Sequence, residues 1–175
     1  MKSKRKRTTG MVLVAFSAIA LRVTAAEKGQ EVPYPEGYRR WTFLHSSMMP
    51  PASFTAITKK PCDKPCISGL HLFYANDKAM EGLRTGTYPD GAIIADEIME
   101  WLSTSDGGAK EGQRLGTAVM VRDSQRYSST GGWGWGTFPG ASKTDHADAK
   151  AREACVQCHG MRKDQGYVYT EYLER

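Results

Sequence analysis

The sequence lacks several features that would have fixed its class at a glance. No apolar run is long enough for a permanent membrane helix, which needs roughly 20 residues; the one candidate runs only from Met11 to Leu21. No cysteine follows that run, which speaks against a lipoprotein, and no Arg-Arg pair precedes it, which speaks against twin-arginine export. The glycine-rich stretch Gly131 to Gly140 is not followed by Gly-Lys-Ser/Thr, so it is no phosphate loop. Internal repeats are absent. Cysteines number only four, and 175 residues are enough for one domain with a real hydrophobic core but too few for two comfortable ones.

What is present begins with Lys2, Lys4, Arg5, Lys6 and Arg7, then the apolar run, then Val23-Thr24-Ala25-Ala26. A basic start, a short apolar segment and small residues near a cut form the pattern of a secretory signal peptide, expected over residues 1–25. An uncleaved anchor is the rival, since Arg22 is an awkward charge beside the cleavage site. Cleavage after Ala25 removes six basic residues and no acidic ones, leaving 18 Lys+Arg against 19 Asp+Glu, a net charge of −1. The formal +5 of the whole chain therefore belongs to the targeting segment, and nothing in it points to nucleic acid. Export to the periplasm, with no stable membrane association afterwards, is the expectation.

An oxidising compartment governs the reading of the cysteines. Cys155-Val156-Gln157-Cys158-His159 is C-x-x-C-H, the attachment signature of c-type haem. Two cysteines three apart on a helix share a face, within reach of the two vinyl groups of one porphyrin. The next residue, His159, can present a ring nitrogen to the iron. A redox C-x-x-C does not need that histidine and usually sits in a βαβ setting, which is missing here. One motif means one covalent haem c, with His159 as the metal ligand. Cys62 and Cys66, in Pro61-Cys62-Asp63-Lys64-Pro65-Cys66, read most simply as a short-range disulfide pinning a proline-stiffened turn. A metal pair is the alternative, but it needs further ligands.

The pattern of elements is that of one α+β domain over residues 26–175. Residues 26–37 read as an irregular leader, Tyr38 to Ser47 as an aromatic, β-prone strand, and Ser68 to Ala75 as a second strand. Asn76 or Asp77 caps a short helix, Lys78 to Arg84, ending near Gly86. Tyr88-Pro89-Asp90-Gly91 is a turn, because Pro sets φ and Gly accepts what other residues avoid. Ala92 to Trp101 fits helix or strand by pattern, and the turn before it favours strand. Asp106-Gly107-Gly108 is another turn, Thr117 to Val121 a buried strand, and Asp123 to Ser129 a short helix. Gly131 to Gly140 interleaves glycine with Trp133, Trp135 and Phe138, the odd positions suggesting one face of a strand. Thr144 or Asp145 starts a helix running to Cys155, and Tyr167 to Tyr172 alternates like a last strand.

Several motifs occur in a fixed order: Tyr34-Pro35-Glu36-Gly37-Tyr38-Arg39-x-Trp41, Tyr74-Ala75-Asn76, Gly86-x-Tyr88-Pro89-Asp90-Gly91, Gly131-Gly132-Trp133-Gly134-Trp135, and Cys155 to His159, closing with Tyr167-Val168-Tyr169-Thr170. In this order they resemble the cytochrome P-460 family, over essentially the whole mature chain. The resemblance implies a curved antiparallel β-sheet with a few short helices packing one covalently bound haem c. It also implies kinship with the sheet-type cytochromes c′, which bind gases such as nitric oxide and carbon monoxide, a periplasmic homodimer, and a five-coordinate iron with an open distal site. One departure stands out. Hydroxylamine-oxidising members carry a lysine cross-linked to the porphyrin just before the Thr-Gly-x-x-x-Asp-Gly turn. Here that stretch is Glu81-Gly82-Leu83-Arg84-Thr85-Gly86, and the nearest lysine is Lys78.

The sixth coordination position decides between functions. His45, His71, Met48 or Met49 as a ligand would make a simple electron-transfer cytochrome with a redox partner cytochrome. Against that stand a structural role for His71, gap-filling by the methionines and a surface position for His146. Asp96, Glu97 and Glu100 are proton-shuttle candidates that also fit plain solvent-exposed strand positions. Trp133, Trp135 and Phe138 are expected to line the haem pocket, plain sheet core being the alternative, with glycines between them letting a flat ring approach the backbone. The expectation is a mono-haem cytochrome binding nitric oxide or a similar small ligand. An oxidoreductase acting on hydroxylamine or another nitrogen compound is the alternative.

Overall fold

The computed structural model describes residues 30–50 and 68–172. The expected signal peptide and the Cys62–Cys66 pair lie outside the described residues. Five strands make one antiparallel meander in chain order: β1 (Thr42–Met49), β2 (Gly69–Ala75), β3 (Ile93–Ser103), β4 (Ala109–Arg122) and β5 (Trp133–Pro139). Helix α1 (Asp77–Thr85) joins β2 to β3, and α2 (Ala149–His159) follows β5. The sheet is curved, with register shifts between Phe43 and His45 in β1 and around Met99 in β3.

Local chemistry accounts for the helix ends and turns. The Asn76 side chain accepts from Ala79 N–H at 2.9 Å, capping α1. The same oxygen accepts from Ile93 N–H at 3.0 Å, which ties the helix start to β3. Gly86, at φ +76°, ends α1 by returning its N–H to Gly82 O. Gly82 cannot be larger, because a Cβ there would fall 2.1 Å from the Tyr88 ring.

The sheet has two differently built faces. On one, Ala75, Ile94, Met120 and Trp135 stand opposite one another across β2 to β5. Together with Leu44, Ala79, Ala92, Trp133 and Val168 they form an apolar core. Both helices cover this face, and Cys155 and Val156 of α2 pack against it. On the other face Val119, Val121 and Phe138 pack with Val32 and Tyr127.

Several expectations are corrected. Residues 30–37 carry no helix or strand, as an irregular leader should, yet they are packed down: Val32 is buried, and Tyr34 packs edge-on to Phe138 at 5.2 Å. Tyr38 to Arg40 is a 3-10 turn entered through Gly37 at φ +72°, and the strand starts only at Thr42. Asp123 to Tyr127 is a turn, in which Asp123 Oδ1 accepts from Gln125 and Arg126 N–H. Phe138 lies on the opposite face from Trp133 and Trp135, as a period of two requires of an even position beside odd ones. Helix α2 starts at Ala149 behind an Asp148 cap, because Asp145 is otherwise engaged. Tyr167 to Tyr172 is not a strand, for reasons that belong to the site.

Candidate metal centre

Helix α2 carries Cys155, Cys158 and His159 in its last five residues. Its position is fixed through Asp145, whose side chain is almost wholly buried. One carboxylate oxygen accepts from Thr137 N–H of β5 and Ala147 N–H, at 3.0 and 2.9 Å. The other accepts from Val32 N–H and from the Arg152 guanidinium of α2, both at 2.9 Å. Arg152 also donates to Trp135 O. Four donors on one buried carboxylate satisfy it fully and lock α2 to β5 and to the N-terminal segment. The sequence reading offered Asp145 only as a helix cap; no local pattern marks it as a hub.

Beyond His159 the chain tightens into a 3-10 segment, Gly160–Gln165, and turns at Gly166. Tyr167 then adopts φ +68°, the left-handed region uncommon for a side chain of its size. Its N–H bonds back to Arg162 O at 2.8 Å, and its carbonyl turns inward to within 2.7 Å of His159 Nδ1. A strand would need those backbone groups for a neighbour, and they are consumed here. That is why the Tyr-Val-Tyr alternation makes no sheet.

The carbonyl can only accept, so Nδ1 of His159 carries the proton and Nε2 keeps its lone pair. Burial holds the imidazole pKa below its ordinary value, a shift partly opposed by the bond to Tyr167. The ring is therefore a neutral imidazole with a fixed tautomer. It sits between Trp135, 5.7 Å away and tilted, and Tyr169, 5.4 Å away and edge-on. Burial, and then the neighbouring Cys158, push the Cys155 thiol up to about 11. Cys155 and Cys158 are both free, partly exposed thiols.

This donor set fits a covalently held haem: two thiols one helical turn apart, followed by an imidazole whose Nε2 is available. A second observation agrees. The indole Nε1 of Trp135 is buried without a hydrogen-bond partner, in the same apolar core that Cys155 touches. A buried orphan donor beside an aromatic pocket suits a partner supplied from outside the polypeptide. Trp133 is in that core as well, edge-on to Tyr88 at 5.3 Å and beneath the Arg122 guanidinium at 5.7 Å. Trp133, Trp135 and Cys155 thus share one core, His159 meets it through Trp135, and Cys158 lies against Tyr169.

The remaining candidates disperse. His71 lies on the same sheet face, with Nδ1 2.7 Å from Asp96 Oδ2. Asp96, whose carboxyl burial raises, leaves its second oxygen buried and without a hydrogen bond. The His45 ring lies tilted against Phe73 at 4.8 Å. Met48 and His146 are exposed, the latter 3.1 Å from Ser142 Oγ. Glu97 is not solvent-exposed: it is buried on the far face, paired with Arg39 and, at 3.2 Å, with Arg114. Glu100 is half-buried and accepts from Gln113 N–H at 3.4 Å. Lys78 points outward and donates to Asp90 O at 2.7 Å. Sequence reasoning missed Tyr167 and Tyr169 as neighbours of His159, since their spacing was absorbed into the strand reading.

A search of curated proteins returned no match. A family model described as Cytochrome P460 matches residues 35–170, a span that runs from the Tyr34–Trp41 motif to the Tyr167–Thr170 close. Membership implies a haem cofactor, which agrees with the donor set on α2. The match covers most of the chain, and the chain belongs to the cytochrome P460 family.

Proposed function

We propose that this protein is an exported, periplasmic mono-haem c-type cytochrome that binds nitric oxide or a similar small ligand at an open iron site. Cys155 and Cys158 would carry the thioether bonds, His159 the iron, and Trp133 and Trp135 would line the pocket. The observation that carries the reading is the bond from His159 Nδ1 to Tyr167 O, 2.7 Å long, which presents Nε2 as a ligand beside two free thiols. The haem supplies the iron and its affinity for small ligands; the chain supplies a fixed neutral imidazole and an apolar, aromatic surround. An open distal position is supported by how three of the four candidate sixth ligands, Met49 aside, are placed: His71 with Asp96, His45 against Phe73, Met48 facing out. Export follows from the basic and apolar N-terminal pattern. A homodimer and a redox partner cytochrome belong to the same reading.

A second reading, an oxidoreductase acting on hydroxylamine or a related nitrogen compound, is favoured by Asp96. Its unbonded oxygen lies on the Trp135 face of the sheet, one cross-strand row away, and offers an acid or base there. The outward-facing Lys78 is no help to a porphyrin cross-link.

Absorption spectra separate these readings. A high-spin ferrous spectrum that shifts on adding carbon monoxide is expected. A low-spin ferrous spectrum unmoved by carbon monoxide would mean a sixth protein ligand and electron transfer alone. A strongly red-shifted ferrous Soret band would point to a cross-link and the nitrogen-compound oxidoreductase.

A further inference from the structure

We propose that Tyr169 is the positioning residue of the proximal side, holding His159 and the second cysteine of the motif as one rigid unit. This inference rests on His159 being the axial ligand. Its phenol hydroxyl donates to Cys158 O at 2.9 Å, and the same oxygen is 4.0 Å from Cys158 Sγ. Its ring meets the His159 imidazole edge-on, at 83° and 5.4 Å. On its other side the Arg162 guanidinium lies 4.9 Å over the ring. One side chain thus touches the thiol, the carbonyl and the imidazole of consecutive residues.

The place needs such a clamp. His159 is the last residue of α2, where helical hydrogen bonding runs out and the chain tightens into a 3-10 segment. Left to itself a helix end frays, and a ligand there would sample several orientations. Three contacts remove that freedom. Tyr167 O fixes Nδ1, Trp135 bounds one side of the ring, and Tyr169 bounds another. Core filling alone explains Tyr169 poorly, because 37% of the residue remains exposed. The part that is covered is spent on the motif. The left-handed turn at Tyr167 brings it there, so one unusual backbone conformation serves both the carbonyl and the clamp.

The test uses the full, haem-loaded chain as wild type, Tyr169→Phe and Tyr169→Leu. The measurements are covalent haem content, the ferrous iron–imidazole stretching band by resonance Raman, the midpoint potential and the thermal midpoint. Covalent haem is expected at wild-type level in all three. Tyr169→Leu should shift and broaden the iron–imidazole band and move the potential. Tyr169→Phe, which keeps the ring and loses one hydrogen bond, should move both in the same direction by less. An unmoved band and potential in Tyr169→Leu overturn the inference, even if the thermal midpoint falls, because a merely structural tyrosine would do that. If Tyr169→Leu does not accumulate, Tyr169→Phe decides on the same criterion. Wild-type protein without covalent haem would overturn the proposed function itself, a result distinct from a loaded protein whose band does not respond.

Discussion

The two faces of the sheet are built from the same five strands, yet they solve the burial of polar groups in opposite ways. On the far face Glu97 is fully buried and held by Arg39 and Arg114, with Thr117 and the Tyr38 hydroxyl close by. On the helix-covered face the Trp135 indole N–H and one Asp96 oxygen have no partner. Among the described residues a third buried atom lacks a hydrogen bond, Arg114 Nε, and it still lies 3.2 Å from Glu97 in an ion pair. The far face satisfies its buried carboxylate within the chain, while the helix-covered face leaves two buried polar atoms unpaired. The thiols and the imidazole sit on that second face.

The largest expected effect strikes the link between the faces. Asp145→Ala strands Val32, Thr137 and Ala147 N–H and frees Arg152, so it should cost about 3–5 kcal/mol in denaturant unfolding. Next comes the far face by itself. Glu97→Gln keeps the shape but leaves the mostly buried Arg114 without its counter-ion, at about 2 kcal/mol, with covalent haem content unchanged. If haem content fell in step with stability, the faces would not be separable as described.

Trp135→Phe sharpens the contrast further. It deletes a buried, unsatisfied N–H along with some packing, so in haem-free protein the two terms oppose and the net change should stay within about 1 kcal/mol. In haem-loaded protein the same substitution should cost more, measured as the difference between the two thermal midpoints. Equal costs would mean that the orphan donor has nothing to do with the bound group.

The smallest effect is electrostatic. The Ser124 hydroxyl and N–H hold the Asp90 carboxyl below its usual range. A lowered carboxyl pKa stabilises the fold above the unfolded-state value, and the contribution disappears as pH falls through the folded-state value. Asp90→Asn should therefore lower the melting temperature slightly at neutral pH, and the difference from wild type should vanish in acid.

Much of this architecture is legible in the sequence, because its signals are local. Asn76 caps α1, Gly86 ends it, Pro89-Asp90-Gly91 turns into β3, and Cys155 to His159 lies on a helix, all as expected. What escaped depends on partners distant in sequence. Asp145 reads as a cap until Val32, 113 residues away, is seen to bond to it. Tyr167 to Tyr172 has a strand's alternation, but alternation reports which side chains are apolar and not where the backbone hydrogen bonds go. Glu97 reads as a solvated strand residue, since Arg39 and Arg114 meet it only across the folded sheet. The Cys155–His159 motif and its helix were legible; the side chains packed round it were not.

The central claim is that the Cys155–His159 helix end carries one covalent haem, and mass analysis of the exported protein and its peptides tests it most directly. One haem per chain is expected on the peptide spanning residues 155–159, surviving denaturation and absent from the Cys155→Ala/Cys158→Ala double variant. A peptide of unmodified mass from exported wild-type protein, or full haem retention on a denaturing gel by the double variant, would contradict it.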